Sequence, residues 1–204
     1  MLKQFLQPQI FQPVCRSCKL SKAIHSKASS GSSINLLKQR LQQEFNCIPV
    51  HPREQMEKQY QDSQAAVQNH YLFSKNALER LPFDMYFDRD NKLLYSFIQF
   101  QDGKQLGNTQ GYVHGGLLSA IFDGALGSLF TMAGVSGFTA NLNVDYRKPV
   151  SIPNTLLLRA HIESHEGRKL WIHGSLTSAA LNENGYGEGE IYVEGKGLFL
   201  EQKK

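Results

Sequence analysis

The chain has 204 residues, 41% of them hydrophobic and 20% charged, enough for one folded domain plus a tail without disulfide or metal support. The net charge of +4 is unevenly placed: residues 1–43 hold seven basic residues and no acid, and the rest holds 15 basic against 18 acidic residues, so a general basic surface for nucleic acid is not supported. No apolar run reaches the ~20 residues of a membrane span, and Cys15, Cys18 and Cys47 fall short of a four-ligand zinc site, so no metal or thiol chemistry is expected.

Residues 1–43 are basic, free of acids and rich in Ser between Ser17 and Ser33. That composition resembles a mitochondrial transit peptide or a disordered leader, cleaved between residues 20 and 45, with the matrix as destination. Residues 44–81 read as a helical extension. Pro49 and Pro52 separate a first helical stretch, Leu36 to Phe45, from a second, polar one, Glu54 to Leu81, expected on the outside of the domain.

Residues 82–204 read as the main domain. Met85-Tyr86-Phe87 and Leu93 to Phe100 are predicted strands, joined by a turn at Asp88–Asn91. After a loop from Asp102 to Tyr112, Leu117, Leu118, Ile121, Phe122, Ala125, Leu126, Leu129 and Phe130 recur at helical spacing. Small residues line the same helix (Ala120, Gly124, Gly127), which suggests close approach to a sheet. Four strands follow: Phe138 to Tyr146, a hairpin of Thr155 to Ser164 and Lys169 to Ala179, and Tyr186 to Leu200. The glycines at 185, 187, 189, 195 and 197 open no helix, so they do not form a nucleotide loop. Two strands, a long helix and four strands predict an α+β fold in which one antiparallel sheet curls around the apolar helix.

The chemistry concentrates at the helix start. The first N–H groups of a helix lack internal partners and carry the positive end of its dipole. His114-Gly115-Gly116 stands there, and glycine leaves those N–H groups open to a carbonyl oxygen gaining charge. Asp123 lies in the most apolar stretch, where a carboxylate is costly without a partner or a task; it suits a nucleophile or a general base. A helix start without ligand and a structural Asp are the plainer alternatives. His114 and Asp123 are nine residues apart, about 13 Å along the axis and on opposite sides of the helix. One helix cannot present both to one carbonyl. Two antiparallel helices related by a two-fold axis can, so a catalytic reading requires at least a dimer.

His-Gly-Gly followed nine residues on by Asp resembles the hotdog thioesterases of the phenylacetate-pathway type. Thr139-Ala-Asn-Leu-Asn-Val-Asp-Tyr-Arg-Lys-Pro149 and Glu166-Gly-Arg-Lys169 are similar to the mitochondrial acyl-CoA thioesterase branch called thioesterase superfamily members four and five. The resemblance spans about Asp102 to Leu200. It implies a hotdog fold, edge-to-edge dimers or tetramers, and hydrolysis of fatty acyl-CoA to free acid and CoA without cofactor. It places the catalytic carboxylate at Asp123, an assisting hydroxyl at Thr139, backbone donors at Gly115 and Gly116 beside His114, and substrate contacts at Arg147, Arg168, Asp145 and His173. Asp145 and His173 depart from the Asn and Ser of the family, and an acid is a poor neighbour for polyphosphate. Phe122, Leu126, Phe130 and Phe138 are candidate acyl-pocket walls or plain core. The alternatives are a non-catalytic acyl-CoA-binding hotdog protein, and a hotdog dehydratase, which Asp123 with Thr139 disfavours.

Overall fold

The computed structural model of the chain describes residues 31–59, 68–179 and 189–202. Its elements are α1 (Gly31–Gln43), β1 (Ile48–Val50), α2 (Pro52–Gln59), α3 (Lys75–Arg80), β2 (Phe83–Asp88), β3 (Leu93–Phe100), α4 (Gly115–Met132), β4 (Gly137–Tyr146), β5 (Asn154–Glu166), β6 (Lys169–Ser178) and β7 (Ile191–Glu201). The strands form one seven-stranded sheet in the order β1-β2-β3-β5-β6-β7-β4. Every pairing is antiparallel. This is the hotdog architecture, with α4 as the central helix.

Alternation along the strands decides what faces α4. On β6, Leu170, Ile172, Gly174 and Leu176 are buried while Trp171, His173 and Ser175 are only partly so. They meet the helical stripe Leu118, Ile121, Phe122, Ala125, Leu126, Leu129 and Phe130, all buried. Each such large side chain contributes roughly 1.5–3 kcal/mol on burial. Phe130 stacks on Phe199 with ring centroids 5.2 Å apart. By length and composition α4 could cross a membrane, but its apolar face lies against this sheet.

Close approach of helix to sheet is made by strand glycines more than helix glycines. Gly174 and Gly195 are paired neighbours on β6 and β7. A methyl group on Gly195 would collide with the Phe122 ring, and one on Gly174 would meet Leu126 Cδ2 at 3.0 Å. Gly195 and Gly197 therefore serve packing. The β5–β6 connection is a two-residue turn, Gly167-Arg168, with Gly167 at φ 57°.

Three expectations need correction. The segment assigned to a leader up to residue 43 ends in α1, whose Ile34 and Leu41 are buried against Tyr95, Phe97 and Leu157 on the sheet face away from α4. α1 is the helical stretch expected at Leu36 to Phe45, beginning five residues earlier and packed on the sheet rather than belonging to a leader. Residues 1–30, with Cys15 and Cys18, lie outside the described residues. The stretch 54–81 is not one helix on the surface: between α2 and α3, Leu72 and Phe73 are buried in the core shared with α4. β1 carries Pro49 and has three residues, too few for a visible alternation; as an edge strand it tolerates proline.

Candidate active site

His114 caps α4 with extended backbone (φ −64°, ψ 132°). Its Nδ1 accepts the Gly116 N–H at 3.0 Å. The cap occupies one of the two amides expected to receive a carbonyl oxygen. The Gly115 N–H has no hydrogen-bond partner among the described residues. It is the open donor at the helix start, so the expectation of two free glycine amides is corrected to one. Tyr146, at the end of β4, closes the other side of this helix start. Its hydroxyl donates to the Gly115 carbonyl at 3.0 Å and lies 2.5 Å from Ser119 Oγ.

Asp123 is exposed, which corrects the expectation of a buried acid. Its apolar sequence neighbours Ile121, Phe122, Ala125 and Leu126 are buried on the sheet-facing side of α4, whereas Asp123 projects from a side left open to solvent. Thr139 Oγ1 donates to Asp123 Oδ1 at 2.8 Å. That contact depends on an irregularity. The β4–β7 register shifts between Thr139 and Asn141, leaving Ala140 as an extra residue. The bulge changes the parity of β4, so odd-numbered Thr139 and even-numbered Leu142, Val144 and Tyr146 all face α4. Without it Thr139 would point to the outer face.

In one chain, the Asp123–Thr139 pair and the Gly115 amide with Tyr146 sit toward opposite ends of β4. Both are solvent-accessible, and β4 is the outermost strand of its sheet edge. Phe138 and Tyr146 are 58% and 52% exposed there, unusual for aromatic side chains on a sheet. Phe138 points to the outer face beside Leu200, so it is no wall of a helix–sheet pocket. Phe122, Leu126 and Phe130 are packed core.

The outer face of β4, β6 and β7 forms an open groove of about 520 Å³, lined by Asn141, Asn143, Asp145, Arg147, Trp171, His173 and Lys196 among others. Asp145, Arg147 and His173 are thus brought together. Arg147 is engaged by carboxylates: Nε donates to Glu194 Oε2 at 2.9 Å and Nη2 lies 3.6 Å from Asp145 Oδ2. Lys196 bridges to Glu163 at 2.5 Å and lies over the Trp171 ring. Such exposed pairs are worth about 0–1 kcal/mol and exchange readily. Arg168 is not in this groove. It sits in the β5–β6 turn and donates to the Glu201 carbonyl at 2.8 Å, near the Gly137 end of β4. Arg147 follows the other end, about 25–30 Å away along the strand.

His161 is paired with His173 across β5 and β6, ring centroids 5.4 Å apart. Burial, helped by Arg159 and His173, lowers the His161 imidazole to about 4. Burial, reinforced by Asp88, pushes the Cys47 thiol up to about 12. Among the described residues no cluster of three or more His, Cys, Asp or Glu could hold a metal ion.

Sequence reading missed Tyr146 and His70. Tyr146 has a signal in hindsight, the last inward position of a predicted strand. His70, which lies within electrostatic reach of Asp123, has none, because it stands outside the predicted domain.

Residues 110–178 match the model of the Thioesterase superfamily. The chain is similar to acyl-coenzyme A thioesterase THEM4 of Mus musculus, 30% identical over 160 residues, covering 78% of this chain and 62% of that protein. It thus spans less than two thirds of that relative. A protein of Candida albicans (strain WO-1), described as uncharacterised and mitochondrial, is 29% identical over 137 residues, covering 62% of this chain and 60% of its own. Among solved structures, a thioesterase superfamily protein superposes with a TM-score of 0.51 at 25% identity, covering 59% of this chain and 54% of that one.

Proposed function

The chain carries a thioesterase-superfamily domain in the hotdog fold, and from that premise we propose that it hydrolyses fatty acyl-CoA thioesters to free acid and CoA. The observation that carries the reading is the Thr139 hydroxyl bonded to the exposed carboxylate of Asp123. An Asp free to solvent yet oriented by one donor keeps its second oxygen for a water molecule. Asp123 takes a proton from that water as it attacks the thioester carbonyl, and the oxyanion forms on the Gly115 N–H. Collapse of the tetrahedral intermediate breaks the C–S bond. The departing thiolate recovers the proton from Asp123, and the acid and CoA leave. Direct attack by Asp123, giving an anhydride that water then opens, uses the same groups.

The Gly115 amide in this scheme belongs to a second copy. The open outer edge of β4, where Phe138 and Tyr146 lie exposed, supports antiparallel pairing of two such edges across a two-fold axis. Such pairing brings the Thr139 end of one strand toward the Tyr146 end of the other, and covers Phe138 and Tyr146. The same operation carries Arg168 of one copy toward the groove end of its partner. In that groove Arg147 and His173 face the CoA part, with Asp145 holding Arg147 rather than touching phosphate. The basic, acid-free start of the chain and the mitochondrial relative support a mitochondrial location.

A panel of saturated and unsaturated acyl-CoAs with thiol release as readout tests the activity. Release by the native chain and its loss in Asp123→Asn support hydrolysis. CoA binding without thiol release would replace it by the non-catalytic acyl-CoA-binding reading.

A further inference from the structure

His70 is a titratable residue within electrostatic reach of Asp123 that the scheme above leaves idle. It precedes the segment Leu72-Phe73, which is clamped onto α4 at the residue after the acid. A methyl group on Gly124 would meet Leu72 Cδ1 at 2.7 Å and Phe73 Cζ at 3.2 Å, so the glycine is what lets the segment lie this close. The ring of His70 is fixed twice. It stacks on Phe73, centroids 4.9 Å apart at 14°. Its Nδ1 accepts the backbone N–H groups of Leu72 and Phe73 at 3.2 and 3.1 Å. A nitrogen accepting two donors carries no proton, so the neutral ring holds its proton on Nε2. That is the one end left to act as a donor.

We infer that His70 is a positioning residue for Asp123, its Nε2–H acting on the carboxylate through one water. The inference rests on the proposed hydrolase reading, in which Asp123 must stay ionised and keep one oxygen for water. A fixed neutral N–H favours the carboxylate without the charge of a lysine or arginine, which would also hold the substrate's anionic product. Burial lowers the imidazole below its usual range, and Asp123 is the charge that opposes this. Thr139 is the described group whose hydrogen bond to Asp123 the structure shows.

The test combines titration and kinetics on the full chain. The His70 ring is followed by heteronuclear NMR against pH in the native chain and in Asp123→Asn, which removes an exposed charge and leaves the core intact. The expected result is a His70 titration lowered by about half a pH unit or more in the variant. His70→Asn keeps an acceptor for the Leu72 and Phe73 amides, as Asn does at helix starts, and removes the Nε2 donor. It is expected to lower kcat about tenfold with KM little changed and to move the acidic limb of the kcat/KM profile upward. An unmoved His70 titration in Asp123→Asn overturns the inference, as does native kcat with an unmoved acidic limb in a folded His70→Asn. A chain that releases no thiol from any acyl-CoA sinks the hydrolase reading instead, and the NMR titration still decides the coupling.

Discussion

Thr139 Oγ1 lies 2.8 Å from Asp123 Oδ1 because a bulge at Ala140 turns the threonine inward. Both side chains are exposed, so function and stability separate cleanly here. Asp123→Asn is expected to lower thioester hydrolysis by about 10²–10⁴-fold, and Thr139→Ala by about tenfold, one lost hydrogen bond of roughly 1.4 kcal/mol. Melting temperatures of both should match the native chain, since exposed substitutions stay within about 0.5 kcal/mol. Kinetics beside calorimetry checks this.

The Gly195–Phe122 contact predicts the reverse behaviour. Gly195→Ala forces a methyl group into a fully buried ring. Denaturant titration should show a loss of about 1–3 kcal/mol, the usual cost of overpacking. Gly167→Ala meets no neighbour but must hold φ 57°, so its cost is backbone strain of about 1 kcal/mol.

α1 predicts where a leader can end without harm. Removing residues 31–43 as well as 1–30 takes Ile34 and Leu41 off the sheet and uncovers Tyr95, Phe97 and Leu157. Burial of each side chain is worth roughly 1.5–3 kcal/mol. A chain starting at residue 44 should therefore melt lower and aggregate more readily than one starting at residue 31. Equal melting curves would show that α1 contributes nothing.

His161 gives the acid side of the stability curve. Its folded value of about 4 lies below the ordinary value near 6.5, so between these the unfolded chain binds the proton and the folded chain does not. The stabilisation is complete above pH 6.5 and is lost as pH falls toward 4. Discounted for a ring that is partly solvent-screened, it amounts to about 1–2 kcal/mol. His161→Gln should flatten that limb in denaturant titrations at pH 4.5 and 7.

Much of this fold is legible in the sequence. Alternation along β6 and β7 and the paired apolar residues of α4 are local signals that survive into the structure. What is hidden is non-local. The apolar neighbours of Asp123 suggested burial because sequence does not say which helix face lacks a cover. Thr139 meets Asp123 only through a one-residue bulge that no periodicity reports. The Gly116 amide looked open until the His114 ring was seen to fold back on it. α1 was legible as a helical stretch, Leu36 to Phe45, but its seat on the sheet was not, and the packing of Leu72 and Phe73 on Gly124 joins residues that no local pattern connects.

Subunit complementation tests most directly whether the carboxylate and the helix-start amide come from different copies. Gly115→Pro removes the amide proton at a first helical position that favours proline, after a His114 whose ψ of 132° suits a following proline. Asp123→Asn removes the carboxylate. Each variant alone should be inactive. Co-assembled, half of the dimers are mixed and each mixed dimer holds one intact site, so thiol release should recover to about a quarter of the native rate. No recovery from a verified mixed assembly would mean that each copy builds its site alone, and the shared-site account would be wrong.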